Sequence, residues 1–397
     1  MTIRDEATAI ADDLAELRHA LHAEPEIGYD LPKTQRKVLD ALDGLPLEIS
    51  TGDKLTSVTA VLRGGRPGPV VLLRGDMDAL PITEATGEPF TSRIDGAMHA
   101  CGHDLHTTML AGAARLLSAR QAELPGSVIF MFQPAEEGGG GAKMMIDEGV
   151  LDAAGARPVA AYALHVFSTL LPHGVFAVRP GPILAGSDAI DVTVRGRGGH
   201  ASSPHSSADP IPAACEMVTA LQTLVTRRFD VFDPVVVTVG AIHAGTARNI
   251  IPDEATFLAT ARSFSPEARS ALKEHMIRLF EGIALAHGLT VEVNYAEGYP
   301  VTANDPRQAA FTTATVTELF GAERSAELPN PLTGSEDFSF VLQQVPGAFI
   351  MLGACRPGTD HEPAPGNHSA LATFDDGVLA DGTALYTELA LRRLTGS

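Results

Sequence analysis

Tryptophan is absent from this sequence of 397 residues, and cysteine is scarce, with three residues in the whole chain. The cysteines, Cys101, Cys215 and Cys355, are too few and too widely spaced to form a disulfide framework, which is typical of a reducing compartment. No stretch approaches about 18 consecutive apolar residues, and the first residues carry charges where a secretion signal would be apolar. We therefore expect a cytoplasmic protein that does not span a membrane.

Basic residues are also scarce relative to acidic ones. The chain has 29 lysines and arginines against 49 aspartates and glutamates, and its formal net charge is −20. Such a charge repels nucleic acids and anionic membrane surfaces, and no run or stripe of basic residues offsets it. We therefore expect neither nucleic acid nor a membrane as a partner.

Four short, almost continuous apolar runs predict strands that are covered on both faces of a sheet. They occupy residues 69–81, 127–137, 159–166 and 348–355. Between the first two runs, a segment rich in alanine and leucine predicts a helix with Asp104 as its N-cap. Strands that alternate with helices are typical of an α/β domain with a mostly parallel central sheet flanked by helices.

The sequence pattern changes after residue 185. Apolar and polar residues then alternate in several short segments, as in half-exposed antiparallel strands, and two longer segments have the periodicity of amphipathic helices. About four strands and two helices suffice for a separate α+β domain. Because a further apolar run follows, we predict that this smaller domain, residues 186–301, interrupts a larger one formed by residues 1–185 and 302–397.

Residues that carry chemistry follow each of the buried strands. They are Asp76 and Asp78 after the first strand, Glu136 and Glu137 after the second, His165 at the end of the third, and His361 and His368 after the fourth. In an open α/β sheet, ligands bind beyond the carboxyl ends of the strands, where side chains from separate strands converge. We therefore expect these acids and histidines to share one site.

The segment HACGHD, residues 99–104, lies in the connection after the first strand and can reach the same edge. In extended backbone, the spacing of Cys101 and His103 places both side chains on one side, where they can bind metal. A thiolate, imidazoles and carboxylates together favour zinc, manganese, cobalt or nickel over calcium or magnesium. The alternative is a Cys101 nucleophile with His103 as its base, but this leaves the glutamates and the other histidines without a role.

The segment PAEE places two adjacent carboxylates, Glu136 and Glu137, at the end of a strand. Neighbouring residues of extended backbone point to opposite sides, so one carboxylate can bind metal while the other faces a substrate. A metal ion lowers the pKa of its bound water toward neutrality, and a nearby carboxylate can take the proton and pass it to a leaving amine. The pair therefore favours metal-assisted hydrolysis.

Six sequence blocks together resemble the aminoacylase/carboxypeptidase family of dinuclear metallohydrolases. In chain order they are RGDMDALPI, HACGHDLHTTML, FQPAEEGGGGAKMMIDEG, GRGGHASSPH, ARNIIPDEA and GSEDFSF. The branch that the chain resembles holds hippurate hydrolases, N-acyl-amino-acid amidohydrolases and plant auxin–amino-acid conjugate hydrolases. The order of the blocks is specific to the family, whereas the substrate is much less determined.

The resemblance implies two divalent metal ions per subunit, which could be manganese, zinc, cobalt or nickel. The ligands that it implies are Cys101, His103, Glu137, His165 and His368. Glu136 would be the general base that activates the bridging water.

Two positions leave alternatives open. Other branches of the family have a His-x-Asp ligand pair where this chain has Asp76 and Asp78, so we expect these two aspartates to orient ligands from outside the metal shell. His361 competes with His368 for the last ligand position, and the block GNHSALATFDD favours His368.

The resemblance also assigns residues 186–301 to a lid that forms a dimer interface. His200, on a glycine-rich turn, would reach the active site of the partner subunit and stabilise the tetrahedral oxyanion. Asn249 and Arg262 would contact the substrate, since a guanidinium group can hold an α-carboxylate through two hydrogen bonds. We expect a homodimer and leave open whether two dimers associate.

These observations predict a metal-dependent amidohydrolase that cleaves N-acyl or aryl-acyl amino acids into a carboxylic acid and a free amino acid. Two alternatives are other enzymes: a dipeptidase or aminopeptidase that uses the same dinuclear site, and an amidase with Cys101 as nucleophile. A metal-binding module without catalytic activity is the third, and the pair of adjacent glutamates argues against it.

Overall fold

The computed structural model describes residues 1–358 and 364–396. The strands are β1 (Leu47–Thr51), β2 (Val58–Arg63), β3 (Arg66–Asp76), β4 (Pro125–Gln133), β5 (Ala160–Phe167), β6 (Phe176–Val178), β7 (Gly181–Leu184), β8 (Gly186–Arg195), β9 (Gly199–His200), β10 (Val235–Ala244), β11 (Ile250–Ile251), β12 (Glu254–Ser263), β13 (Thr290–Glu297), β14 (Thr302–Asn304), β15 (Ser325–Glu327) and β16 (Gly347–Gly353). The helices are α1 (Ile3–Ala9), α2 (Ala11–His22), α3 (Pro32–Leu42), α4 (His103–Ser118), α5 (Gly141–Asp147), α6 (Pro210–Arg228), α7 (Pro266–Ala286), α8 (Pro306–Phe320), α9 (Ser339–Leu342) and α10 (Val378–Thr395).

The larger of two compact units consists of the described residues in Met1–Ile183, Ala303–Asn330 and Asp337–Ser397. Its sheet has eight strands in the order β1-β2-β4-β3-β5-β16-β6-β15. The four central strands β4, β3, β5 and β16 run parallel, and α4 and α10 pack against each other and against β3. Side chains of these strands are buried on both faces, which explains the continuous apolar runs in the sequence.

The smaller unit consists of Leu184–Thr302 and Pro331–Glu336. Its four-stranded antiparallel sheet has the order β10-β12-β8-β13, and burial alternates along β8 and β12. Helices α6 and α7 pack on the sheet around a core that includes Phe257, Met276 and Phe280. The predicted fold class, a mostly parallel α/β unit interrupted by an α+β unit of four strands and two helices, is confirmed.

The parallel strands of the larger unit bring three chain segments to one edge of the sheet. Asp76, the last residue of β3, lies directly opposite Gln133, the last residue of β4, and β5 runs parallel on the other side of β3. Residues that follow these strands therefore emerge together. Among the described residues, no helix is long and apolar enough to cross a bilayer.

The N-cap predicted at Asp104 is wrong, because the N-cap is Gly102 and α4 begins at His103, two residues before the predicted helix start. Gly102 precedes the helix with a φ of 87°, and a Cβ atom there would lie 2.3 Å from a methyl group of Val166, so the early start requires glycine. Asp104 is buried and accepts hydrogen bonds from Arg18 and His22 instead.

Candidate metal centre

The sulfur of Cys101 lies at the centre of a cluster formed by the five candidate ligands. It is 3.3 Å from Nε2 of His165 and 3.3 Å from Nε2 of His368. Glu137 Oε1 lies 3.1 Å from Nε2 of His368 and 3.9 Å from Nε2 of His103. Sulfur, nitrogen and oxygen donors thus converge in one small volume. They come from the start of α4 and from three segments of the larger unit that are distant in sequence.

Unsatisfied polar atoms make the cluster a candidate cation site. Neither ring nitrogen of the fully buried His103 makes a hydrogen bond of ordinary geometry to a described residue. The nearest aspartate oxygens lie 3.6 Å and 3.5 Å from the His103 nitrogens, too far for a good hydrogen bond. Buried polar groups without partners cost free energy, which coordination to a metal ion would recover. A thiolate, imidazoles and a carboxylate suit divalent transition metals.

Burial sets the protonation of two residues in the cluster. It raises the pKa of the Cys101 thiol to about 12, so the thiol is neutral near pH 7 unless a cation lowers that value. Burial, together with the nearby His106, holds the pKa of His165 well below its ordinary value. A neutral imidazole is the form that binds metal, whereas a neutral thiol is a poor nucleophile.

Asp78 orients the two adjacent glutamates through their backbone. Its carboxylate accepts the N–H of Glu136 at 3.0 Å and the N–H of Glu137 at 3.0 Å. The expectation that these glutamates lie in extended backbone is wrong, because β4 ends at Gln133, Ala135 has a φ of 59°, and both glutamates lie in the turn that follows. Glu136 is 7% exposed, and a carboxylate oxygen lies within 4.8 Å of a ring nitrogen of His103.

Asp76 is held by His106 and Arg74. One oxygen lies 2.6 Å from Nδ1 of His106, and the other accepts a hydrogen bond of 2.5 Å from Arg74. The other ring nitrogen of His106 accepts the N–H of Val166 at 2.7 Å, so His106 has no nitrogen left for a metal ion. Burial would raise the pKa of Asp76, but Arg74, His103 and His106 outweigh it and hold that pKa well below its usual range.

Residues that sequence reasoning missed form the polar layer behind the cluster. Arg74, Gln133 and Asp337 are fully buried and hydrogen-bonded to one another, and Asp337 also accepts the N–H of Ala142. A charged residue inside an apolar strand run was the available signal for Arg74. His106, which sequence reasoning leaves without a role, lies three residues after His103 on α4, a spacing that places both on one helix face.

His368 takes an uncommon backbone conformation to reach the cluster. Its φ is 68°, its N–H donates to the carbonyl of Ala100 at 2.9 Å, and its side chain is 52% exposed. The competing candidate, His361, lies outside the described residues.

The three candidate residues of the smaller unit do not all lie together. His200 on β9 pairs with Ile250 on β11, and the carbonyl of Asn249 accepts the N–H of Ala201, so His200 and Asn249 are neighbours. Arg262 lies near the far end of β12, where it donates a hydrogen bond to Ser335.

The distance between Arg262 and the His200 end of the smaller unit can be estimated along β12. Eight residues separate Glu254, at the His200 end of the strand, from Arg262, which corresponds to about 27 Å at about 3.4 Å per residue. The Nδ1 atom of His200 accepts hydrogen bonds from the N–H and the hydroxyl of Ser202, so in the neutral ring the proton is on Nε2.

Comparison with known proteins gives matches over nearly the whole chain. Residues 72–392 match the family described as Peptidase family M20/M25/M40. The chain is 37% identical to thermostable carboxypeptidase 2 of Saccharolobus solfataricus, over 98% of each chain. It is also 37% identical to the N-acetylcysteine deacetylase of Bacillus subtilis, over 95% of this chain and 96% of that protein.

A solved structure adds the metal content of a similar protein. The crystal structure of Bacillus subtilis YXEP, described as a dinuclear metal-binding peptidase of the M20 family, is 33% identical in sequence and has a TM-score of 0.84 over 98% of this chain and 99% of that one. The resemblance seen in the six sequence blocks is confirmed, and with it the prediction of a metal-dependent hydrolase that acts on amide bonds. The chain belongs to peptidase family M20/M25/M40 and is a metal-dependent enzyme that hydrolyses amide bonds.

Proposed function

We propose that this enzyme cleaves the amide bond of N-acyl or aryl-acyl amino acids, releasing a carboxylic acid and a free amino acid. The observation that carries the proposal is the placement of Glu136, a buried carboxylate beside the donor cluster whose backbone is held by Asp78. Cleavage of an amide requires a group that takes a proton from water and gives one to the departing amine. The deacetylase relative, named for N-acetylcysteine, supports an N-acyl amino acid as substrate.

The residues that would hold the two divalent cations are Cys101, His103, Glu137, His165 and His368. Their donor atoms fit manganese, zinc, cobalt or nickel. When bound, such cations lower the pKa of water and polarise an amide carbonyl. Asp76 and Asp78 would orient this cluster from outside, through the hydrogen bonds to His106 and to the backbone of the two glutamates.

Glu136 is the general base in this proposal and later the general acid. Its neighbour Glu137 would bind metal, and the two hydrogen bonds to Asp78 fix the backbone from which both carboxylates extend. Glu136 takes the proton of the attacking water and delivers it to the nitrogen of the leaving amino acid. Truncating such a group usually costs about 10²–10⁴-fold in rate.

The smaller unit acts as a lid and dimerisation domain in this proposal, and the larger unit is catalytic. His200 would donate a hydrogen bond from Nε2 to the oxyanion. Nε2 is the nitrogen that carries the proton when Nδ1 accepts from Ser202. Arg262 would hold the α-carboxylate of the substrate, with Asn249 as a further substrate contact. The proposed assembly is a homodimer in which His200 reaches the active site of the partner subunit.

The cytoplasm is the location that we propose, since all three cysteines are free. A second function, hydrolysis of peptides at the same metal centre, is favoured by the relative named thermostable carboxypeptidase 2. An amidase with Cys101 as nucleophile is disfavoured, because burial keeps this thiol neutral.

A substrate panel tests the proposal. Metal-free protein is reconstituted with each of the four metals and assayed on acetyl-, benzoyl- and indole-acyl amino acids, on dipeptides and on the same acyl amino acids with the α-carboxylate blocked as an amide. We expect kcat/KM to be highest for acyl amino acids with a free carboxylate. Faster turnover of dipeptides would replace the proposed substrate class with the peptidase function.

The general base has its own test within the same assay. Glu136→Gln should lose about 10²–10⁴-fold in kcat and keep its bound metal, because the amide matches the shape of the carboxylate but cannot take a proton. Turnover near that of the unmodified enzyme would overturn the assignment of Glu136.

A further inference from the structure

We propose that Asn367 is a positioning residue that assembles the metal centre by joining three of the segments that carry its ligands. This inference depends on the ligand set proposed above. The three segments carry Cys101, His165 and His368. The side chain of Asn367 makes hydrogen bonds to the segments of Cys101 and His165, and Asn367 directly precedes His368 in the sequence.

The amide nitrogen of Asn367 joins the first two segments. It donates to the carbonyl of Cys101 at 3.2 Å and to the carbonyl of Val166, the residue after His165, at 3.0 Å. The same nitrogen lies 3.9 Å from the sulfur of Cys101. A single NH₂ group thus links the loop before α4 to the end of β5.

The amide oxygen of Asn367 makes the opposite kind of contact. It accepts the N–H of Ser168 at 3.0 Å and lies 3.1 Å from the hydroxyl of that residue, which is also within 2.9 Å of the carbonyl of Pro365. Two carbonyl groups face the nitrogen and an N–H faces the oxygen, so only one orientation of the amide satisfies all partners.

Through Val166, Asn367 also influences which nitrogen of His165 is available to a metal ion. The carbonyl of Val166 accepts from Nδ1 of His165 at 2.9 Å as well as from Asn367. A proton on Nδ1 leaves the lone pair on Nε2, the atom that faces the sulfur of Cys101 at 3.3 Å. Metal-binding histidines are commonly held by such a contact of their second nitrogen.

The position of His368 depends on the same side chain. A φ of 68° is unfavourable for a residue with a Cβ atom, and it persists only where surrounding contacts impose it. The contacts that hold this backbone include the N–H of His368 to Ala100, the N–H of Ser369 to Gly366, and the four hydrogen-bond contacts of Asn367 at 3.0–3.2 Å. Loss of Asn367 would free the His368 backbone to relax away from the cluster.

Two substitutions separate the chemistry of Asn367 from its volume. Asn367→Asp keeps the shape of the side chain. It replaces the NH₂ group, which donates to two carbonyl oxygens, with a negatively charged oxygen, so both contacts become repulsive. Asn367→Ala removes all the contacts without repulsion. A matched control is Gln308→Ala in the same unit, which removes a buried amide bonded to Tyr162 and Arg393.

The test measures metal binding rather than turnover. Each variant is stripped of metal and titrated with Co²⁺ against a competing chromogenic chelator, while the absorption of the sulfur-to-cobalt band reports the bond to Cys101. We expect Asn367→Asp to bind Co²⁺ about 10–100-fold more weakly with a diminished sulfur band, Asn367→Ala to lie between it and the unmodified protein, and Gln308→Ala to bind normally.

Several results would overturn the positioning role. These are normal affinity and an unchanged sulfur band in Asn367→Asp, an equal loss in Gln308→Ala, or failure of both Asn367 variants to fold while Gln308→Ala folds. Cys101→Ala distinguishes a failure of the proposed ligand set from a failure of the role of Asn367. If Cys101→Ala binds two cobalt ions normally, the proposed ligand set fails; if it loses metal while Asn367→Asp does not, only the role of Asn367 fails.

Discussion

The backbone N–H of Glu136 donates a hydrogen bond to the carboxylate of Asp78 across 3.0 Å. The second oxygen of Asp78 accepts the N–H of Glu137 at the same distance. Ala135, which precedes the pair, has a φ of 59°, so the turn that presents both glutamates adopts a conformation that needs outside support. Asp78 supplies that support and thereby couples the proposed base to the proposed ligand.

Asp78→Asn should therefore impair catalysis without abolishing it. The amide offers one oxygen to two N–H groups and turns its NH₂ toward the other, so one hydrogen bond is lost and the turn loosens. We expect kcat to fall about 10–100-fold with a smaller change in KM, as for other residues that orient a metal shell. Steady-state kinetics on the preferred substrate provide the measurement, and Asp147→Asn on the exposed face of α5 is the control. An unchanged kcat would show that the turn holds without Asp78.

The parallel strands and their shared edge could be predicted from sequence because short-range rules determine them, whereas the ligand set came from the resemblance of six sequence blocks to a metallohydrolase family. Apolar runs covered on both faces indicated the parallel strands, and the carboxyl ends of parallel strands share an edge. The structure accordingly brings Cys101, His103, Glu137, His165 and His368 together. The turn at the two adjacent glutamates could not be predicted, because it depends on Asp78, 58 residues earlier in the chain.

The residues behind the cluster also depend on contacts that are distant in sequence. Asp337 meets Gln133 across 204 residues, and Asn367 meets Cys101 across 266. No local periodicity relates such positions, since they become neighbours only after the strands have assumed their order in the sheet. A polar residue in an apolar run, as at Arg74, indicates that a partner exists without indicating which residue it is.

Alkylation should distinguish a metal-binding Cys101 from a nucleophilic one. Cys215 is exposed, whereas Cys101 is 7% exposed and burial raises the pKa of its thiol to about 12. We expect iodoacetamide at neutral pH to label Cys215 in the metal-loaded enzyme without loss of activity, and a chelator to abolish activity reversibly. Peptide mass spectrometry identifies the labelled residue, and Cys215→Ser removes the background. Inactivation in step with labelling of Cys101, together with activity that survives the chelator, would favour the nucleophile.

Asp337→Asn should destabilise the larger unit. The carboxylate is fully buried and accepts hydrogen bonds from Arg74, Gln133 and the N–H of Ala142, so neutralising it leaves the buried guanidinium group without part of its compensating charge. Breaking a buried ion pair usually costs about 3–5 kcal/mol. Thermal unfolding of the metal-loaded protein should show a lower Tm.

The same measurement on Asp147→Asn is the control for that prediction. Asp147 pairs with Lys143 on an exposed helix face, where such a pair contributes no more than about 0.5 kcal/mol. Equal Tm values for Asp337→Asn and Asp147→Asn would mean that the buried network contributes little to stability.

His22 should make the stability of the larger unit depend on pH. Burial would lower the pKa of this histidine, but hydrogen bonds to Asp104 at 2.8 Å and to Glu84 at 3.2 Å outweigh burial and raise it. Since the pKa in the folded protein exceeds the value of about 6.5 in the unfolded chain, the stabilisation is complete below about pH 6.5 and is lost as the pH rises through the folded value.

His22→Gln, which carries no charge at any pH, should reveal that dependence. We expect its Tm to lie about 2–8 °C below that of the unmodified protein at about pH 6, where both ring nitrogens donate, and the difference to shrink toward about pH 9. His287→Gln, which removes an exposed pair with Glu216 in the smaller unit, should change Tm little at either pH. A Tm difference for His22→Gln that grows with pH would contradict the predicted direction of the pH dependence. It would show that burial, rather than the two carboxylates, determines the charge of His22.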